Sequence, residues 1–74
     1  MIDYKNTEDA IIGSIISRSA IFDEVRTEIY EDYFTDNDNK QIYKGILELR
    51  KKNLEINLLS VVNILYFSFY NIGY

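Results

Sequence analysis

The run Asp36-Asn37-Asp38-Asn39 has the spacing that comes closest to a metal site in this 74-residue chain. Alternating Asp and Asn side chains supply the oxygen ligands that Ca²⁺ takes in helix-loop-helix calcium sites. Such loops also need a glycine at the sixth position and a glutamate at the twelfth. Counted from Asp36, these positions hold Gln41 and Leu47. The run therefore predicts a helix-capping loop and no calcium site.

A second group of carboxylates could serve as a general acid and base. Helical spacing would spread these groups over a solvated face, and the chain has no histidine to work with them. The absence of both histidine and cysteine also removes disulfides and the usual zinc ligands. We expect no catalytic site and no metal. The carboxylates are Asp23, Glu24, Glu28, Glu31 and Asp32.

The glycines show whether a phosphate-binding loop is present. None of Gly13, Gly45 and Gly73 is followed by lysine, so the sequence has no P-loop. We therefore expect no ATPase activity and no cofactor, and we expect that the chain is not an enzyme.

Nucleic-acid contact has two candidate features. Arg50, Lys51 and Lys52, with Lys44 nearby, could bind phosphates, although cations that end a helix are typical of dipole matching. The aromatic stretch from Tyr66 to Tyr74 could stack bases, but it contains no basic residue. The net charge of −4 and pI near 4.6 also disfavour a phosphate-binding surface. We expect no direct nucleic-acid partner.

A central helix over Asp36 to Asn53 positions most of these groups. Ile42, Ile46 and Leu49 recur on one face, with further apolar residues beside them. The Asp- and Asn-rich start supplies N-cap candidates, and Asn53 suits a left-handed residue after the last turn.

Two helices are expected before the central helix. The first begins at Asn6 or Thr7, with Glu8 and Asp9 in its first turn, and Gly13 in it indicates close approach of another helix. The second is capped by Ser19 and runs from Ala20 to about Tyr30. Phe34 follows as an anchor at the end of the bundle.

A fourth helix, capped by Asn57, leads into the aromatic stretch, which carries more apolar surface than one helical face can bury. The fold class is thus all-α, a small orthogonal or antiparallel bundle of about four helices. No run approaches a membrane span and the N-terminus lacks a signal-peptide pattern, so we expect no membrane partner and a cytoplasmic location.

Five short blocks follow one another along most of the chain: Glu8–Ile16, Asp23–Val25, Asp32–Phe34, Asn39–Leu49 and Glu55–Val61. In this order they resemble the N-terminal domain of DnaB-type bacterial and phage replicative DNA helicases. The chain departs from the family pattern where Asn39 replaces a histidine, Gly45 an alanine, Glu55 a proline and Asn57 an aspartate.

This resemblance implies a single domain over residues 1–74 that is incomplete at its C-terminal end, since family members continue into further helices and an ATPase domain. It implies a non-catalytic interaction role in DNA replication. The expected partners are further copies or helicase subunits in the ring collar, and primase in the primosome.

The interaction residues expected from the sequence are Glu24 and Glu28 for a partner such as primase, and Tyr66, Phe67, Phe69 and Tyr70 for self-association. Two alternatives remain open at this stage. One is a free-standing, phage-type regulator that mimics the helicase domain. The other is a small structural helical protein unrelated to replication.

Overall fold

The computed structural model describes residues 4–70, with the side chains of residues 5–67. Within this range the chain forms four α-helices and one 3₁₀ turn, and no strand. This confirms the all-α fold class. The elements are α1 (Tyr4–Ser17), α2 (Ala20–Val25), the 3₁₀ turn (Glu31–Tyr33), α3 (Asn37–Lys51) and α4 (Leu58–Tyr70).

Helix α3 is the centre of the fold, since it contacts α1, the 3₁₀ turn and α4. Its ends confirm the sequence prediction. The Asp36 carboxylate accepts a hydrogen bond from the Asn39 backbone N–H at 3.0 Å, which caps the N-terminus. At the other end Asn53 has φ 58°, and the Leu54 N–H bonds back to the Leu49 carbonyl, which closes the last turn.

The start of α1 differs from the prediction. The helix already includes Tyr4, so Glu8 and Asp9 lie in the second turn and not in the first. An ion pair between Lys5 and Asp9, at 3.2 Å, supports the additional turn. The Glu8 carboxylate does not interact with the N-terminus of α1. It accepts hydrogen bonds from Thr35 and Asp36, in the loop before α3.

Helix α2 is shorter than predicted, because it ends at Val25 and not near Tyr30. Backbone turns follow, with the N–H of Ile29 bonded to the Val25 carbonyl. The Tyr43 hydroxyl then donates to the Ile29 carbonyl at 2.6 Å, which holds the turn against α3. The predicted Ser19 cap is also wrong, since Ser19 is helical in φ and ψ and its side chain makes no capping bond.

All four helices contribute side chains to one core, which includes the Tyr43 ring. Phe34 is 1% exposed, which confirms it as an anchor, and its ring centroid lies 4.8 Å from that of Tyr43. Phe22 packs on the same ring at 5.9 Å. The buried apolar side chains are Ile12, Ile15, Phe22, Phe34, Tyr43, Ile46, Leu49, Ile56 and Val61.

The close helix approach predicted at Gly13 occurs instead at Gly45. A Cβ on Gly13 would have no neighbour within 4 Å. A Cβ on Gly45 would lie 3.1 Å from Ile64 Cγ2 and 3.4 Å from Leu65 Cδ2, so α4 packs directly on the α3 backbone there. Gly13 was misassigned because sequence alone does not show which side of a helix meets its neighbour.

Helix α4 is fixed at its start by a reciprocal cap. The Asn57 side-chain oxygen accepts from the Ser60 N–H, and the Ser60 hydroxyl accepts from the Asn57 N–H, both at 2.9 Å. This confirms the predicted Asn57 cap and satisfies two backbone donors of the first turn. The orientation of α4 against α3 is thus set at its first turn and at Gly45.

Candidate functional site

The outward side of α4 is the largest concentration of exposed apolar side chains among residues 5–67. Every α4 residue except Ser60, Asn63 and Ser68 is apolar or aromatic, yet among the α4 side chains that the structure describes, Leu58 to Phe67, only Val61 is fully buried. The helix therefore has more apolar surface than its packing against α3 and α1 can cover. Its exposed apolar side chains are Leu58, Leu59, Val62, Tyr66 and Phe67.

A groove runs beside this surface, between α4 and the segment that joins it to α3. Its volume is about 520 Å³. Leu49, Leu54, Leu59, Ile64 and Phe67 supply its apolar lining. The polar groups at its edge include Lys52, Glu55 and Asn63. A groove of this composition fits an apolar or aromatic side chain of another protein.

The structure separates the predicted interaction residues into two places. Glu24 is exposed on α2, and Glu28 is exposed in the turn after it. Tyr66 and Phe67 are exposed on α4, at 61% and 62%. Phe69 and Tyr70 have side chains outside the described residues. The acidic pair and the aromatic pair thus belong to different elements.

The sequence analysis missed the first half of the α4 surface. It assigned none of Leu58, Leu59 and Val62 to the interaction surface. These residues are 65%, 52% and 70% exposed, respectively. The available signal was the near absence of polar residues around the whole helix, which one buried face cannot explain.

The carboxylates of α2, of the turn after it and of the 3₁₀ turn lie on a surface that we call the acidic side of the molecule. This side also exposes aromatic rings. Tyr30 is 65% exposed and Tyr33 is 45% exposed, on either side of Glu31 and Asp32. The Tyr33 ring stands edge-on to Phe34 at 5.3 Å, so its position is fixed by the core. A rigid aromatic ring among carboxylates suits contact with a basic protein surface.

Most of the candidate phosphate-binding cations are engaged with carboxylates. Arg50 pairs with Asp23 at 3.2 Å and Lys52 with Glu48 at 3.6 Å. Lys44 lies 4.0 Å from Glu31. The guanidinium of Arg50 also lies 5.8 Å from the Phe22 ring centroid. These cations match charges within the molecule, as expected for residues near a helix C-terminus.

A buried carboxylate, Glu8, connects α1 to the segment that leads into α3. It is 2% exposed and accepts three hydrogen bonds, from the Thr35 hydroxyl at 2.6 Å, the Thr35 N–H at 2.9 Å and the Asp36 N–H at 3.1 Å. The Thr35 hydroxyl is the main cause that lowers the pKa of the Glu8 carboxyl, and burial opposes it. Sequence reasoning did not find this role, because Thr35 lies far along the chain.

Asn39 extends the Glu8 network. Its amide Nδ2 donates to Asp9 at 2.8 Å, and Asn39 is 4% exposed. That bond, together with the Lys5 pair, lowers the pKa of the Asp9 carboxyl. Asn39 stands where the resembling family usually has histidine, and here a neutral donor satisfies an α1 carboxylate. The network fixes the loop that carries the 3₁₀ turn and its tyrosines.

Two further properties concern the described part of the chain. No group of three acidic, histidine or cysteine side chains is placed to hold a metal ion there. Across residues 4–70, no helix combines the length and apolarity that a membrane span requires.

Comparison with known families decides the relationship. The model of the DnaB-like helicase N-terminal domain matches residues 3–68 of the 74. This chain belongs to that family. No curated protein and no solved structure gives a significant match to it.

Membership of the DnaB-like N-terminal domain family confirms the resemblance drawn from the five blocks. It overturns the alternative of a small helical protein unrelated to that family. It also supports a role as an N-terminal helicase module. Several block residues have structural roles in the DnaB-like fold, since Glu8, Asn39 and Asn57 make its hydrogen-bonded connections and Phe34 its anchor.

Proposed function

We propose that this chain is a non-catalytic protein-protein interaction module of a replicative DNA helicase, which associates with further copies or with helicase subunits in the ring collar. The observation that carries the proposal is the exposed apolar surface of α4. Contiguous apolar surfaces of this kind mark interaction sites on soluble proteins. The family relationship supplies the helicase context.

Charge supports α4 as the assembly surface. The sequence contains no charged residue after Glu55, whereas the whole chain has a net charge of −4. Two acidic subunits repel each other least where neither presents a charge. The end of the chain that includes α4 is therefore the best place for subunits to meet.

Primase docking is a second proposed activity, and the acidic side of the molecule favours it. Glu24 and Glu28 are exposed, and neither takes part in an ion pair within the described residues. Tyr30, also exposed, follows Glu28 by two residues. Unpaired carboxylates beside an aromatic ring suit a basic surface on a partner such as primase. The proposed role is in the cytoplasm and involves no direct nucleic-acid contact.

A free-standing regulator that mimics the helicase domain would use the same α4 surface. It would bind helicase subunits and block loading of the ring or docking of primase. The two roles differ in their effect on the ring, because a module supports assembly and a regulator prevents it.

The experiment is calorimetric titration of the chain into the replicative helicase of the same source, followed by mass measurement of the helicase ring. The proposal predicts a Kd of about 1 µM or tighter, equivalent to about −8 kcal/mol. Val62→Glu should abolish the heat, since it puts a charge into the apolar surface, and Thr27→Glu on the acidic side should not. An intact ring supports the module, whereas a dissociated ring supports the regulator.

The primase interaction is tested separately with the C-terminal helical domain of primase from the same source. Glu24→Lys with Glu28→Lys should weaken binding, and the Val62→Glu variant should bind as the unchanged chain does. Failure of both the helicase and the primase titrations would contradict the proposed function.

A further inference from the structure

Five exposed apolar residues of α4, together with the exposed Asn63, form two parallel rows. In each row the residues are four apart, so they lie above one another on the helix surface. The rows are adjacent, because each residue of the second follows its counterpart in the first. All six side chains are exposed. The rows are Leu58, Val62 and Tyr66, and Leu59, Asn63 and Phe67.

The two rows have a centre at Val62 and Asn63. Leucines stand one turn before it and aromatic rings one turn after it. When two such helices pair in opposite directions, the leucines of one copy meet the aromatic rings of the other. Such a surface is self-complementary, as a twofold interface requires.

Asn63 is the polar exception at this centre. Its side chain makes no hydrogen bond within the described residues and is exposed. Across a twofold axis, two carboxamides can each donate to and accept from the other. A single buried asparagine fixes register in paired helices at some cost in stability.

We propose that α4 pairs antiparallel with α4 of a second copy of this chain, about a twofold axis beside Val62 and Asn63. This inference rests on the proposed function and names the partner, the direction of the pairing and Asn63 as the residue that fixes its register. In this arrangement Leu58 lies close to the partner's Tyr66, and Leu59 close to the partner's Phe67.

The available surface supports a second copy as the occupant. Five of the eight exposed large apolar or aromatic side chains among residues 5–67 lie on α4, and a sixth, Leu54, lines the adjoining groove. A stable interface takes about 800 Å² from each partner. The chain exposes 5493 Å² in total, so an interface of this size would cover roughly one seventh of its surface.

The groove adds apolar surface beside these rows. It is lined along α4 from Leu59 to Phe67, and by Leu54 of the preceding segment. In the antiparallel arrangement the partner's aromatic rings meet the Leu59 end of this groove. An aromatic ring in an apolar groove is the kind of contact that contributes most to binding.

Cysteine cross-linking tests the geometry, because the chain has no cysteine of its own. Val62→Cys should form a disulfide-linked dimer under mild oxidation, since residues at the twofold axis come within disulfide reach of each other. Thr27→Cys, exposed in the turn after α2, is the matched control and should form no disulfide-linked dimer. Circular dichroism of both variants should match that of the unchanged chain.

The direction of pairing needs a mixed experiment. Leu58→Cys and Tyr66→Cys should cross-link when mixed, and each alone should cross-link at least about tenfold less. Efficient cross-linking of Leu58→Cys alone would show parallel pairing and overturn the proposal. Absence of the Val62→Cys dimer in a sample that sedimentation shows to be dimeric would also overturn it and leave the proposed function standing.

Asn63→Asp tests the register residue with almost no change in shape. Two carboxylates at the axis should raise the dimer Kd about tenfold or more at pH 7, because like charges meet there. Thr27→Asp, away from α4, should leave the Kd unchanged. An Asn63→Asp dimer as tight as that of the unchanged chain would contradict the position of Asn63 at the axis.

Discussion

At the scale of single residues, Glu8 shows how a charged side chain can organise a small fold. Its carboxylate receives all three donors from Thr35 and Asp36, the residues just before α3. A buried carboxylate that is fully hydrogen-bonded avoids the cost of desolvation without a partner. Glu8 therefore connects α1 to this loop by hydrogen bonds, beside the apolar core.

Glu8→Gln should lower the melting temperature at pH 7 by several degrees, since the amide NH₂ would face donors where the carboxylate accepts. Differential scanning calorimetry measures the change. Glu24→Gln, which alters an exposed carboxylate on α2, is the control and should have little effect. Equal melting temperatures for the two variants would contradict the role of Glu8.

The same group predicts a dependence on pH. The folded pKa of Glu8 lies below its ordinary value of 4.5, so its contribution to stability is complete above pH 4.5 and is lost as the pH falls through the folded pKa. Asp9, lowered from 3.8, acts in the same direction. The melting temperature should therefore fall on acidification below about pH 4.5, and less steeply in Glu8→Gln. Identical pH profiles would contradict the assignment.

At the scale of elements, local signals predicted what is locally determined. The Asp36 cap, the left-handed Asn53 and the Asn57 cap each depend on residues within one turn, and all three are confirmed. The predicted end of α2 was wrong because the turns after Val25 are held by a hydrogen bond from the Tyr43 hydroxyl of α3 to the Ile29 carbonyl. The predicted start of α1 was also wrong. The Glu8 carboxylate, expected in the first turn, accepts a hydrogen bond from Thr35, 27 residues away.

The two helical glycines provide an element-scale prediction. Gly13→Ala should stabilise the chain by about 0.5–1 kcal/mol, because a Cβ there meets nothing and the helix gains propensity. Gly45→Val should destabilise it by about 1–3 kcal/mol, because its branched side chain would enter the contact with Ile64. Urea denaturation measures both changes. Destabilisation by Gly13→Ala would show that α1 is packed more closely than the structure has it.

At the scale of the whole molecule, the surfaces divide by chemistry. The acidic residues and two exposed tyrosines lie around α2 and the 3₁₀ turn, and the uncharged apolar surface lies on α4. The sequence predicted exposed aromatics at Tyr66 and Phe67, and both are exposed. It did not predict exposed Leu58 and Leu59, because the fraction of a helix that its neighbours cover depends on the complete packing.

The central claim is that this DnaB-like domain associates through α4. Sedimentation equilibrium over a concentration series tests it most directly, with Val62→Glu as the disrupting variant and Thr27→Glu as the control. We predict a mass twice that of the 8.8 kDa chain for the unchanged protein and for Thr27→Glu, and the mass of one chain for Val62→Glu. A single-chain mass for the unchanged protein at every concentration, or a Val62→Glu dimer, would contradict the claim.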